Sequence, residues 1–314
     1  MTGITAITVT QTKRIRKGKM NLINAKVYYD GSHWIAIPHT ERPYRRRRRT
    51  TISNEENQKV EQFEKAFKKT PKGKKTTKKE KLLKEFKPLF KTESEAAEFV
   101  ETQYERLNRN RIERNKRMKR KAYLQPLDYF CTFTYSDEKH TEESFRKTLM
   151  NCLYHLSSRN GWKYIGAWER GERGDRLHFH ALMHVPPNAM VGELEEHKDY
   201  NFKTHNTQVT NQNTFFNERF GRSDFNAIEH QSEVEDSIHY MLKYITKNDE
   251  KVVYSRGLKS YLSADILDED IVCPYGDEDN EYKFVLADNF TCITYGEILG
   301  RVCPEVLERM PKCN

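Results

Sequence analysis

The stretch "RLHFHALMH", Arg176 to His184, decides how the chain is read. Leu177, Phe179 and Ala181 alternate with His178 and His180, and successive side chains of a strand point to opposite faces. Both imidazoles therefore share one face. The preceding run "KYIGAWE" ends at Glu169, and "RGERGDR" separates it from the histidines. A two-residue turn at Arg173-Gly174 pairs Glu172 with Asp175, Arg170 with Leu177 and Glu169 with His178. Ala167 then opposes His180 and leaves room beside the rings, while Trp168 opposes Phe179 on the other face as an apolar pair. Two neutral imidazoles and one carboxylate converging on a point form a divalent-metal site with open positions. The expected ligands are His178, His180 and Glu169, with Glu172 as the alternate carboxylate. His184 has the right parity but lies too far along the strand to join His178 on one ion.

Compact elements surround this pair. "DYFCTFTY" (Asp128 to Tyr135) reads as a strand, and Thr141 to Ser157 reads as a helix with Phe145, Leu149, Cys152 and Leu156 at helical spacing. A loop-rich, asparagine-heavy region runs to Gly221, followed by a short strand near Asp224 to His230 and a helix from Glu233 to about Lys247. The order β-α-β-β-loop-β-α predicts an α+β fold, an antiparallel sheet with helices on one face, related to the ferredoxin-like plan.

The last of these helices carries the second constellation, "SEVEDSIHYMLKYITK", Ser232 to Lys247. Ser232 with Glu235 reads as a capping box that starts the helix. Val234, Ile238, Met241 and Ile245 form a narrow apolar stripe at about 100° per residue. Tyr240 and Tyr244 lie one turn apart beside that stripe. Lys243 and Lys247 lie beyond the tyrosines, where phosphate-binding cations belong.

Before Pro126 the chain is of another kind. "NAKVYYDGSHWIAIP" has two β-rich runs around Asp30-Gly31, a hairpin signal. Asn54 to Phe90 is lysine-rich and broken by Pro71 and Gly73, which reads as linker with helical patches. Thr92 to Lys121 has neither Gly nor Pro and reads as one long helix with a basic end. The expected division is a small β region at 1–40, a basic linker and long helix at 41–125, the compact domain at 126–260, and an acidic region at 261–314.

Charge is sorted into blocks along the 314 residues. The net charge is +9. Residues 41–122 hold 28 Lys and Arg against 13 Asp and Glu, whereas residues 250–314 hold 7 against 13. The basic block includes "YRRRRRT" at Tyr44 to Thr50, and such density binds nucleic-acid phosphates by releasing counterions. No apolar run of membrane-spanning length and no secretory signal is visible, so a soluble, intracellular protein is expected. Cys131, Cys152, Cys273, Cys292, Cys303 and Cys313 are scattered without a CxxC, which suits reduced thiols.

With these residues in view, the chain resembles the HUH endonucleases. His178-Phe179-His180 is similar to their paired-histidine motif, Phe130 to Tyr135 resembles the strand motif before it, and YMLKYITK resembles the two-tyrosine motif of rolling-circle replication initiators. The likeness is to initiators of small single-stranded DNA phages of the microvirus and filamentous group. It covers about residues 126 to 260, including "YSRGLK" at Tyr254 to Lys259.

The resemblance implies metal-dependent nicking and rejoining of single-stranded origin DNA. Tyr240 or Tyr244 would attack a phosphodiester, leaving a 5′-phosphotyrosine and a free 3′-hydroxyl, with Lys243 adding positive charge. Mg²⁺ or Mn²⁺ is the implied cofactor, although two imidazoles suit zinc equally. DNA contacts are expected from Arg45, Arg46, Arg47, Arg48, Arg49, Lys247, Arg176 and Thr134. The chain has no GxxxxGK[ST] loop, so helicase activity falls to a host partner. Host DNA polymerase and single-strand-binding protein are the other expected partners, in the cytoplasm of a bacterial host cell. The competing readings are an HUH transposase or relaxase of a mobile element, a zinc hydrolase, and a non-catalytic nucleic-acid-binding protein. Relaxases usually place tyrosine before the histidines, and a zinc hydrolase lacks its HExxH here.

Overall fold

A computed structural model describes residues 22–29, 31–39, 53–70, 75–171, 176–201, 205–248, 251–276, 282–293 and 297–301. The chain forms two units, one from residues 1–43 with 259–314 and one from residues 44–258.

The first unit begins with β1 (Leu22–Tyr29) and β2 (Trp34–Pro38), a hairpin whose last pair is Tyr29 with Trp34. The acidic C-terminal region supplies its partners. Numbered after the intervening elements, these are β10 (Leu262–Leu267), β11 (Ile271–Gly276) and β12 (Tyr282–Leu286), in the order β10-β1-β2-β12-β11. Leu22 pairs with Leu267 and Val27 with Leu262. Ala25, Val27, Ile35, Ile266 and Val285 are buried in this sheet. A pairing between segments some 240 residues apart leaves no local pattern. The sequence therefore divides what the fold joins.

The second unit opens with α1 (Asn54–Lys69), α2 (Lys75–Phe86) and α3 (Glu93–Tyr123). These are packed helices, not the linker that their lysine content suggests. Ser53 caps α1 in a reciprocal box with Glu56. Phe63 meets the rings of Phe86 at 5.2 Å and Phe99 at 5.8 Å between centroids, and Leu82 and Val100 close the cluster. The lysines ring this core, where their stems cover apolar surface and their charges stay wet.

The sheet of this unit has the order β8-β3-β5-β4-β9, all antiparallel, from β3 (Tyr129–Thr134), β4 (Lys163–Arg170), β5 (Leu177–His184), β8 (Ser223–Ala227) and β9 (Val253–Tyr254). The fold is α+β with an antiparallel sheet, but helices cover both faces instead of one. α4 (Glu142–Arg159) lays Phe145, Leu149, Leu153 and Leu156 on Cys131, Phe133, Trp168 and Phe179. α6 (Gln231–Asn248) lays Val234, Ile238, Met241 and Ile245 on Ile165, Ala167 and Leu182, joined by Met118 and Ala122 of α3. β4 and β5 are apolar toward both sides, so each side needs a cover. Gly166 in β4 admits the ring of Phe179, because a Cβ there would lie 2.2 Å from it.

The asparagine-heavy region is likewise ordered. β6 (Leu194–Asn201) and β7 (Asn206–Asn213) form a hairpin, and α5 (Thr214–Arg219) follows at once. Asn213 caps α5 by accepting from the Phe216 N–H at 3.2 Å, and its amide donates to the Val191 carbonyl at 2.7 Å. The hairpin is polar on both faces, which hides its period. The α6 start also differs from the expected Ser232 box. The helix begins at Gln231, and the Glu233 carboxylate accepts from the backbone N–H groups of Glu229 at 2.7 Å and His230 at 3.0 Å.

Among the described residues no helix is long and apolar enough to cross a membrane. Cys131, Cys152, Cys273 and Cys292 are free thiols.

Candidate active site

β4 and β5 pair in the register that the intervening turn predicts, Glu169 opposite His178 and Ala167 opposite His180, although the turn itself, with Glu172, lies outside the described residues. On the other side of β5, β3 sets Thr134 opposite His178 and Thr132 opposite His180. Parity puts all five side chains on the face covered by α6. The T-x-T of one strand thus stands beside the H-x-H of the next.

Each threonine hydroxyl holds one ring. Thr132 Oγ1 is 3.0 Å from His180 Nδ1, and Thr134 Oγ1 is 2.8 Å from His178 Nδ1. With Nδ1 engaged, Nε2 is the remaining ligating atom of each imidazole. His180 Nε2 meets Glu169 Oε2 at 2.6 Å. His180 and Glu169 are only 7% and 6% exposed, so this is a buried polar pair. Phe130 lies parallel to the His180 ring, 5.9 Å away, as its apolar wall.

α6 brings Tyr240 over the pair. Its ring stands edge-on to His180, 5.2 Å between centroids, and its hydroxyl donates to Glu169 Oε2 at 3.4 Å. Tyr240 is 40% exposed, so the reacting oxygen is reachable from solvent while the carboxylate beneath it is not.

Burial is the main cause that lowers the His178 pKa below the ordinary histidine value, helped by His180 and Arg176 and opposed by Glu169. A neutral imidazole at neutral pH is the form that ligates a metal. The donor set of two Nε2 atoms and a carboxylate suits a divalent ion in kind, and among the described residues Glu169 ion-pairs with no lysine or arginine. The histidine rings are 6.2 Å apart, and among the described residues no three His, Cys, Asp or Glu side chains stand close enough to hold an ion as placed. His178 and His180 would hold the ion with Glu169, which would add positive charge beside the Tyr240 hydroxyl.

The other expected residues are placed differently. Lys243 is exposed on α6. The side chains of Tyr244 and Lys247 lie outside the described residues, as does the whole of Arg45 to Arg49. Arg176 is tied to Asp137 and sits 5.0 Å from the Tyr135 ring centroid, so its charge is partly spent inside the protein. Thr134 serves His178. The sequence signal for that role was its alternation with Thr132 at the parity of the histidines. His184 is apart from the site, with Nδ1 bonded to Asp128 Oδ2 at 2.8 Å.

Residues 128–249 match the model of a family of replication-associated proteins, the ORF2 family. No curated protein and no solved structure matches the chain. The family match spans β3 through α6, the segment that carries the histidines, Glu169 and the tyrosines, and it supports a replication-initiator role.

Proposed function

We propose that the chain initiates rolling-circle replication by nicking single-stranded origin DNA with a tyrosine of α6 and later rejoining the strand. The observation that carries this reading is the Tyr240 hydroxyl placed on the same carboxylate oxygen that engages His180. A phenol has a pKa near 10 and attacks poorly until its proton has an acceptor and its oxyanion is stabilised. Glu169 Oε2 is an acceptor within reach of that proton. A bound divalent ion supplies Lewis-acid polarisation of the phosphate. As the Tyr240 oxygen bonds to phosphorus, the P–O3′ bond breaks, the DNA 5′-phosphate stays on tyrosine, and the departing 3′-oxygen takes up a proton. The 3′-hydroxyl then primes synthesis.

A second nucleophile is needed to cut the regenerated origin while the first tyrosine remains attached. Tyr244 follows Tyr240 by one turn of α6, which sets the Cβ atoms about 6 Å apart. The two can address one phosphate in alternation.

The test uses single-stranded oligonucleotides tiled across the replicon that encodes the chain, with Mn²⁺ or Mg²⁺. The reading expects one cut whose 3′ end a polymerase extends and whose 5′ end is blocked by protein. Two free ends at the cut would mean hydrolysis by water and would overturn it.

A further inference from the structure

Lys163 stands at the opposite end of β4 from Glu169, six residues or about 20 Å along the strand. It leads into a cavity of about 310 Å³ walled by the end of α4, the start of β4 and the turn after β9. That turn is anchored. The Ser255 N–H donates to the Tyr164 carbonyl at 3.0 Å, and the Tyr164 N–H donates to Ser255 Oγ at 2.9 Å. Lys163 Nζ donates to the Arg256 carbonyl at 3.0 Å, which leaves two of its three N–H bonds for other acceptors. Gly257, at φ 75°, lets the chain pass over the lysine, since a Cβ would lie 3.0 Å from Nζ.

The lining has a chemical bias. Lys163 and Arg256 form no ion pair among the described residues, and Ser157 and Ser158 add hydroxyls. Tyr154 is 44% exposed, with the Arg256 guanidinium 5.3 Å from its ring centroid. Below the cavity, the Lys121 ammonium of α3 lies 4.7 Å from the centroid of the Tyr254 ring, another lining residue. Cations without carboxylates, beside an open aromatic ring, suit the phosphate and base of a nucleotide. The turn lies beyond residue 249, where the family match ends.

We propose that this cavity is a second single-stranded DNA subsite, holding one nucleotide by its phosphate on Lys163 and Arg256 and by its base on Tyr154. It deepens the nicking reading and rests on it for the identity of the nucleic acid. A strand that is cut at Tyr240 and gripped at Lys163 is held at two points, so the nicked end is kept near the nucleophiles until it is rejoined.

The experiment titrates the full-length protein into labelled oligothymidylate longer than about 16 nucleotides. EDTA is present so that cleavage does not contribute. The double variant Lys163→Ala/Arg256→Ala is expected to bind more weakly and to reduce the salt slope by roughly 0.7, one phosphate contact. Tyr154→Leu is expected to lose roughly fivefold in affinity with the slope unchanged, and Lys163→Arg to keep the wild-type slope. Unchanged binding by the double variant and Tyr154→Leu overturns the proposal. So does a loss that Lys163→Arg shares without a change of slope, which marks damage to the turn. Adduct formation is measured separately with metal. Its absence counts against the nicking reading alone, whereas adduct with unaltered binding in the variants counts against the subsite alone.

Discussion

Replacing Thr134 by valine removes one hydroxyl and little else. The hydroxyl lies 2.8 Å from His178 Nδ1, and valine keeps the β-branched shape at the end of β3. The sister pair shows why a hydroxyl belongs there. His180 Nε2 meets Glu169 Oε2 at 2.6 Å, so with Glu169 ionised Nε2 carries a proton, and in the neutral ring Nδ1 accepts from Thr132. To ligate an ion, Nε2 must surrender that proton, and Nδ1 then becomes the donor. A threonine hydroxyl serves either tautomer by rotating, and valine serves neither. Loss of such a supporting contact typically weakens metal binding by about 10–100-fold, which is about 1.4–2.7 kcal/mol. The fold should lose no more than about 1 kcal/mol, the net worth of one hydrogen bond. Calorimetric titration with Mn²⁺ reads the affinity, long-range nitrogen–proton NMR reads the His178 tautomer, and thermal unfolding reads the fold. Wild-type Mn²⁺ affinity together with an unaltered tautomer would refute the reasoning.

Other outcomes follow from the same structure. Phe63→Ala removes a fully buried ring from the α1–α3 cluster and should cost about 3–5 kcal/mol in denaturant unfolding; a loss under about 0.5 kcal/mol, as at a surface site, would mean that these helices do not pack. The Tyr254 hydroxyl is buried without a hydrogen-bond partner, and burial pushes its pKa up to about 12. The folded state therefore keeps this proton after the unfolded state loses it, and stability falls as pH rises from about 10 toward 12. Tyr254→Phe should flatten that decline and leave stability at neutral pH equal or higher, and a less stable variant at pH 7 would contradict the orphaned hydroxyl. Replacing Arg45 to Arg49 with alanine should flatten the salt dependence of single-strand binding by up to about 3.5, at roughly 0.7 per phosphate contact. An unchanged slope would remove the arginines from the interface.

The legible part of this fold was set by local periodicity. Alternation in RLHFHALMH, with the turn before it, fixed the partner of His178, and the 3.6-residue period in α6 picked out Val234, Ile238, Met241 and Ile245, all of them buried. What escaped depends on longer range or on chemistry that has no period. Lysine density masked Phe63, Phe67, Phe86 and Phe99, whose spacing falls across three helices. The polar hairpin β6–β7 offers no apolar alternation to read. The union of β1 with β10 exists only once the chain has folded back on itself. Thr134 was legible as part of a motif, but its role toward His178 needed the register of a third strand. The glutamate was the reverse case, since the turn alone placed Glu169 opposite His178.

The central claim is that a tyrosine of α6, poised over Glu169 and His180, becomes covalently joined to DNA. The direct measurement is to incubate the protein with its single-stranded origin and Mn²⁺, digest both components, and locate the nucleotide remnant by peptide mass spectrometry. The account predicts the remnant on Tyr240, Tyr244 or both, absent from wild type in EDTA and from the Tyr240→Phe/Tyr244→Phe double variant. DNA that is cut with no remnant on either tyrosine, or with a remnant on another residue, would contradict it.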